Sequence, residues 1–140
     1  MQATRSTDIL LRRPFVLGAL LVALLILAVA CTGNTSTSST TTVNGEPAVH
    51  MGVSSFIQPN ITLSKGSKLL IVDDGTYSHI LNNGMWQNNT PSPATEAGAP
   101  SIQNVQMNGS SIEIGPFNTT GTFHIYCTIH PGMTLTVTVQ

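Results

Sequence analysis

The seven residues Cys127-Thr-Ile-His130-Pro-Gly-Met133 place a thiol, an imidazole and a thioether in one short stretch. Thiolate and thioether ligands select Cu(I), whereas imidazole also suits Cu(II), so this set fits a copper ion that cycles between both states. A second imidazole would complete a plane of two histidines and one cysteine, and His79 can supply it. The sequence therefore predicts a mononuclear type 1, or blue, copper site. Its predicted ligands are His79, Cys127, His130 and, axially, Met133.

Cys127 has two alternative interpretations without a metal. A free cysteine is most often a small buried apolar residue, and a disulfide with Cys31 would use both cysteines of the chain. Histidine at the third position after Cys127 and methionine at the sixth favour the metal site over both alternatives.

Other residues compete for the remaining positions in the site. His124 alternates with Phe123 and Ile125, so it has the opposite orientation to Cys127 and is expected at the surface. His50 falls in the first predicted strand and is expected to be structural or exposed. Four further residues are expected to pack in the core or in loops: Met51, Met85, Met107 and Trp86. For Trp86, covering the site or a partner surface is the alternative.

Charge excludes one class of function. Only 8% of the 140 residues are charged, and after residue 31 two lysines face five carboxylates, a formal charge of −3. Nucleic-acid-binding domains carry a basic patch instead, so no nucleic-acid partner is expected. Polar turn residues between β-branched segments favour an all-β domain.

Several segments have strand character. Thr122–Tyr126 and Thr134–Gln140 alternate between apolar and polar residues with the period of a half-buried strand. The 22 residues from Asn82 to Gln103 are rich in Gly, Asn, Pro and Ser and are interpreted as one long loop. The other predicted strands are Ala48–Val53, a segment within Phe56–Leu63, Lys68–Val72, Ile80–Leu81, Val105–Met107 and Ser111–Ile114.

The N-terminal third is predicted to lie outside this domain. Arg12 and Arg13 precede an apolar run that ends at Cys31, as in a lipoprotein signal, although the favoured leucine stands at 27 rather than 28. An uncleaved anchor and ordinary secretion are the alternatives. We therefore expect a signal or anchor at 1–31 with a lipid on Cys31, a flexible Ser/Thr-rich tether at 32–47, and a copper-binding domain at 48–140.

The segment from Gly121 to Val139, with its C-x-x-H-x-x-M spacing, resembles the end of plastocyanin- and amicyanin-like cupredoxins. The stretch from Phe56 to Gly66, followed by Leu70–Asp74 and His79, resembles the cupredoxin pattern before the first histidine ligand. The resemblance implies a Greek-key β-sandwich with copper at one end. The family often has Asn directly after the first histidine, whereas this chain has Ile80, so Asn82 or Asn83 is a candidate substitute.

These observations predict an electron carrier rather than an enzyme. Tyr126 and Thr128 flank Cys127 where a multicopper oxidase would have histidines, and the loop has no second cysteine for a dinuclear site. Copper storage or delivery is the alternative, and a metal-free adhesion sandwich is a further one. The expected setting is extracytoplasmic, on the outer face of a bacterial cytoplasmic membrane. The expected partners of the monomer are a redox donor and a redox acceptor.

Overall fold

The computed structural model describes residues 40–140, and these form β-strands connected by turns and loops. No helix within this part of the chain is long and apolar enough to cross a membrane. In chain order the strands are β1 (Thr42–Val43), β2 (Glu46–Met51), β3 (Asn60–Leu63), β4 (Leu69–Asp73), β5 (His79–Gln87), β6 (Thr90–Pro93), β7 (Val105–Met107), β8 (Ser111–Ile114), β9 (Gly121–Cys127) and β10 (Thr134–Val139).

The strands form two mixed sheets. One has the order β1-β2-β4-β8, and the other has the order β3-β10-β9-β5-β6, with β7 also paired to β5. β2 pairs with β4, and β3 with β10, in parallel; the remaining pairs are antiparallel. The all-β architecture predicted from the sequence is thereby confirmed for the described residues.

The core follows the period-2 alternation of the strands. Leu69 and Ile71 of β4 and Leu135 and Val137 of β10 are fully buried, and polar or less buried residues alternate with them. Complete burial of an aliphatic side chain of this size contributes about 1.5–3 kcal/mol. The same apolar cluster includes Cys127, so the end of β9 is held by the packing that stabilises the whole domain.

Strand pairing begins before the predicted domain boundary at residue 48. Thr42 and Val43 of β1 pair with Pro47 and Glu46 of β2. Asn44 and Gly45, both with positive φ, form the two-residue turn between them. Asn-Gly is the preferred pair for such a hairpin. The last residues of the predicted tether thus belong to the sheet. Residues 1–39, with the predicted signal and the first part of the tether, lie outside the described residues.

The predicted long loop from Asn82 to Gln103 is wrong for its first half. β5 continues to Gln87, and β6 returns antiparallel to it. Asn88 and Asn89 make the turn with φ values of 47° and 63°, because asparagine tolerates the left-handed conformation that a two-residue hairpin requires. The loop composition therefore concealed a hairpin, called here the outer hairpin (residues 84–93).

The outer hairpin begins at a bend in β5. Gly84 has φ 121°, and a Cβ at this position would lie 2.4 Å from the carbonyl oxygen of Ser92, so only glycine fits. Beyond the bend, the Trp86 backbone N–H donates to Thr134 Oγ1 at 3.0 Å, and its ring packs edge-on against Tyr126 with centroids 6.3 Å apart. Tyr126 is consequently buried, although the alternation of β9 predicts an outward side chain.

Candidate metal centre

Two antiparallel neighbours bring the first two predicted ligands to the same end of the sandwich. His79 is the first residue of β5, and Cys127 is the last residue of β9. Leu81 lies opposite Cys127 in the register of these strands. Since one strand starts where its antiparallel neighbour finishes, residues 48 positions apart in sequence become neighbours.

The third predicted ligand lies in the ligand loop (residues 128–133), which connects β9 to β10. The Cys127 N–H donates to the Met133 carbonyl at 3.0 Å, and the Met133 N–H donates to the His130 carbonyl at 3.1 Å. Gly132 has φ 79° in the turn. The Thr128 N–H donates to the Ile80 carbonyl at 2.9 Å and fastens the loop to β5. These bonds fix the backbone on both sides of His130.

The side chains of His79, Cys127 and His130 form one compact group. One ligand atom from each lies within 4.8 Å of the other two. Cys127 Sγ is 3.4 Å from His130 Nδ1, and the two imidazole rings meet edge to face with centroids 4.9 Å apart. The structure therefore brings together three of the four residues that the sequence predicts as copper ligands.

The imidazole ring of His79 is buried and makes no hydrogen bond with other described residues. Its exposure is 1%, and neither Nδ1 nor Nε2 has a hydrogen-bond partner among the described residues. Burial lowers the pKa of His79 below its ordinary value; the nearby Asp73 charge opposes that shift, and His130 adds to it. A metal ligand must be deprotonated, so a histidine kept neutral is ready to bind a metal.

This group fits a type 1 copper ion. Its donors are two imidazoles and one thiol, the set that forms the trigonal plane of such sites. Two buried ring nitrogens without partners would be costly in a core that offered them nothing to bind. A metal at this position would satisfy one of them, and the donor set therefore agrees with the structure around it.

Met133, the predicted axial ligand, is buried with 2% exposure immediately before β10. Its backbone is bonded to those of Cys127 and His130. The methionines expected elsewhere are indeed elsewhere: Met51 and Met107 are buried in the core cluster, and Met85 lies in the outer hairpin.

The competing histidines do not join the group. His124 is half-buried, and its Nδ1 lies 2.7 Å from Glu96 Oε1 on the segment after the outer hairpin. His50 pairs with Asp74, with Nδ1 at 2.8 Å from the nearer carboxylate oxygen. Each imidazole thus has a carboxylate partner of its own.

Sequence reasoning missed two contacts at the site, those of Asp73 and Trp86. Asp73 is buried at the end of β4, with one carboxylate oxygen 4.0 Å from His79 Nε2. Trp86 was expected to pack in a loop, but its Nε1–H donates to the carbonyl of Cys127 at 2.8 Å. An acidic residue that ends the apolar run Leu-Leu-Ile-Val was the available signal for Asp73. Nothing in the local pattern around Trp86 indicates its partner.

Asn82 and Asn83 do not replace the asparagine that cupredoxins often have after the first histidine. Asn83 accepts from the Ile102 N–H at 2.7 Å and donates to the Pro100 carbonyl at 3.1 Å. Asn82 accepts a hydrogen bond from the Asn104 N–H. Both side chains bind the returning segment, and the backbone bond from Thr128 to Ile80 connects the ligand loop to β5.

The fold has clear relatives among solved structures. Amicyanin from Paracoccus versutus superposes with a TM-score of 0.54 at 18% identity, covering 71% of this chain and 85% of that chain. A reduced Cu(I) form of an amicyanin variant at pH 4 gives a TM-score of 0.53 at 16% identity, covering 71% and 86%. An oxidised amicyanin variant gives 0.53 at 15% identity, with the same coverage.

No family model and no curated protein matches the sequence. The shared architecture and the His-Cys-His group define the fold class: this chain has the cupredoxin fold. Within that class, the solved structures it is similar to are amicyanins.

Proposed function

We propose that this chain is an extracytoplasmic type 1 copper protein that carries single electrons between redox proteins. The observation that carries the proposal is the convergence of His79, Cys127 and His130 within 4.8 Å at one end of a cupredoxin fold. Copper, when bound, supplies one-electron chemistry through its Cu(I) and Cu(II) states. The similar amicyanins have structures named for reduced and oxidised forms, which supports the same use here.

The protein's contribution is a fixed set of donors. His79 and Cys127 are held by paired strands and by the core, with exposures of 1% and 0%. We propose Met133 as the axial ligand, because its side chain is buried and it ends the loop that carries His130. Donors held rigidly in one arrangement need little rearrangement when the oxidation state changes. An axial ligand tunes the reduction potential, so Met133→Gln should lower the potential and Met133→Leu should raise it.

Electrons should enter at the ligand loop. His130 is half-buried, whereas Ile129 beside it is 46% exposed. Tyr77, two residues before His79, is also 46% exposed. Val53 is 55% exposed and follows Gly52, whose backbone raises the pKa of His79. This apolar rim is the proposed docking surface for the redox donor and acceptor, since partners can approach it without removing water from charged groups.

We further propose that the protein is a monomer, attached to the outer face of a bacterial membrane by a lipid on Cys31. The support is sequence alone: an apolar run ending in Leu-Ala-Val-Ala-Cys and a Ser/Thr-rich stretch after it. Labelled fatty acid should enter the wild-type protein in a bacterial host, and Cys31→Ala should abolish the incorporation. Wild-type protein without label would contradict the lipid anchor and leave the copper proposal intact.

The visible spectrum after addition of Cu(II) tests the proposed function. A Cys127 thiolate bound to Cu(II) should give an intense blue or green charge-transfer band. Cys127→Ser should remove the band, and the control His124→Ala, which alters an imidazole outside the group, should retain it. A protein that binds copper only as colourless Cu(I) would contradict electron transfer and favour copper storage or delivery.

A further inference from the structure

We propose that Asp73 is a positioning residue for the metal centre: its buried carboxylate selects the His79 tautomer that leaves Nδ1 for copper, and it favours Cu(II) over Cu(I). This inference rests on the proposed copper function. Asp73 belongs to β4 in the opposite sheet from His79, so the contact crosses the sandwich.

The carboxylate is enclosed and held in place. The Asp73 side chain is fully buried. Its Oδ2 accepts from the Gly109 N–H at 2.8 Å, and its Oδ1 accepts from the Gly75 N–H at 3.2 Å. These two donors come from different loops and fix the plane of the group. These two hydrogen bonds hold the Asp73 carboxylate with Oδ1 facing the ring of His79.

The distance defines the kind of interaction. Asp73 Oδ1 lies 4.0 Å from His79 Nε2, beyond the 2.7–3.2 Å of a hydrogen bond. The carboxylate therefore acts through its charge, and the Nε2–H dipole of the ring is the group that the charge attracts. Metal-bound histidines generally direct their other N–H toward a carboxylate, a carbonyl or water, and that partner sets the tautomer. Here the tautomer with Nε2 protonated leaves Nδ1 as the metal donor.

The same charge acts on a metal ion that the ring would hold. Both side chains are fully buried, and no more than 4.0 Å separates Asp73 Oδ1 from the His79 ring. A negative charge that favours added positive charge on the ring also favours the more positive metal ion bound to it. In a buried environment this effect is screened by salt much less than at the surface.

Asp73→Asn preserves the shape and removes the charge, and Asp74→Asn is a matched control. Asp74 is the adjacent residue with the same charge, but it is exposed and pairs with His50. In the copper-loaded full chain in detergent, Asp73→Asn should raise the ratio of Cu(I) to Cu(II) affinity about tenfold, a rise of about 59 mV in potential. Asp74→Asn should change this ratio by less than about twofold, because exposed charges are strongly screened.

A purely structural role for Asp73 gives a different result. Asparagine offers one acceptor oxygen, so one of the two glycine N–H groups loses its partner, and the variant should melt at a lower temperature. General loosening would weaken binding of both copper states together and leave their ratio unchanged. Equal potentials in the wild-type protein and Asp73→Asn would therefore overturn the inference, whatever the change in melting temperature.

A second measurement needs neither a variant nor copper. Long-range proton–nitrogen NMR of the metal-free full chain at about pH 8, where histidine is neutral, should show His79 protonated on Nε2. Protonation on Nδ1 would refute the role of Asp73. If the wild-type chain bound no copper, the proposed function would fail, and the NMR result would still decide which tautomer the carboxylate selects.

Discussion

The two imidazoles of the metal centre lie in contrasting surroundings. His79 starts a strand between two neighbours, is 1% exposed and faces a buried carboxylate. His130 lies in a short loop between Ile129 and Pro131, and both of these neighbours are exposed. The inner side of the group is held by the core, and the outer side is close to solvent. Under the proposed function, the inner side would fix the donor geometry and the outer side would give redox partners access to it.

The largest effect should come from removing each ring in turn. His130→Gly leaves a gap beside an exposed loop, so added imidazole should enter, bind the metal and restore the charge-transfer band. His79→Gly leaves a gap inside the core, which imidazole cannot reach from solvent. Titration of both copper-loaded variants with imidazole, followed by visible spectroscopy, measures this difference. Restoration of both variants to the same extent would show that the inner side is as open as the outer one.

Acid should destabilise the metal-free protein through His79. Its folded-state pKa lies below the ordinary 6.5, so between these two values the unfolded chain binds more protons than the folded one. Stability is therefore fully present above about pH 6.5 and declines as pH falls toward the folded-state pKa, by at most about 1.4 kcal/mol per pH unit for one group. Urea unfolding from pH 7.5 to 5 measures the slope.

His79→Gln is the matched control for this pH dependence, because it keeps a polar side chain of similar size and removes the titration. The slope should be smaller in the variant, since every other residue is the same in both proteins. An unchanged slope would assign the acid sensitivity to another group.

A moderate effect is expected at Trp86, where the outer hairpin meets the inner side. Trp86→Phe keeps a ring against Tyr126 but removes the donor to the buried Cys127 carbonyl. Loss of a partner for such a group costs about 1–3 kcal/mol, so denaturant unfolding should detect it. Tyr77→Phe, at an exposed ring, is the control and should stay within about 0.5 kcal/mol. Equal stabilities of the two variants would mean that the hydrogen bond from Trp86 to the Cys127 carbonyl does not contribute to the free energy of unfolding.

The smallest effect on stability should come from the docking surface. Ile129→Ser removes an apolar side chain that is 46% exposed, so the melting temperature should change little. Electron self-exchange between two copper-loaded molecules, measured by NMR line broadening, should nevertheless slow because the contact surface loses apolar area. Thr138→Ser, at an exposed position on β10 remote from the ligand loop, is the control. Unchanged self-exchange in Ile129→Ser would move the docking surface elsewhere.

The local parts of the site could be predicted from sequence. Cys127, His130 and Met133 stand within seven consecutive residues, so their spacing alone indicates a ligand set. His79 follows from its position after an apolar strand. The strands β7 and β8 were predicted with the bounds that the structure gives them. In each case the chemistry or the alternation lies within a few consecutive residues.

The missed parts depend on residues distant in sequence. Trp86 and Cys127 are 41 residues apart, and Asp73 and Gly109 are 36 apart. Tyr126 has the alternation of a surface residue, and it is buried only because the outer hairpin covers it. The hairpin itself was hidden because asparagine is as common in loops as in the tight turns that join two strands.

The paired asparagines that bind the returning segment also determine where this domain can change its length. The side chains of Asn82 and Asn83 form hydrogen bonds that join the part of β5 next to His79 to the segment around residues 100–104. None of these hydrogen bonds involves a residue from 88–93. Longer, shorter or foreign sequences could therefore be exchanged at the Asn88–Asn89 tip in evolution or in protein engineering, and the metal centre would keep its geometry.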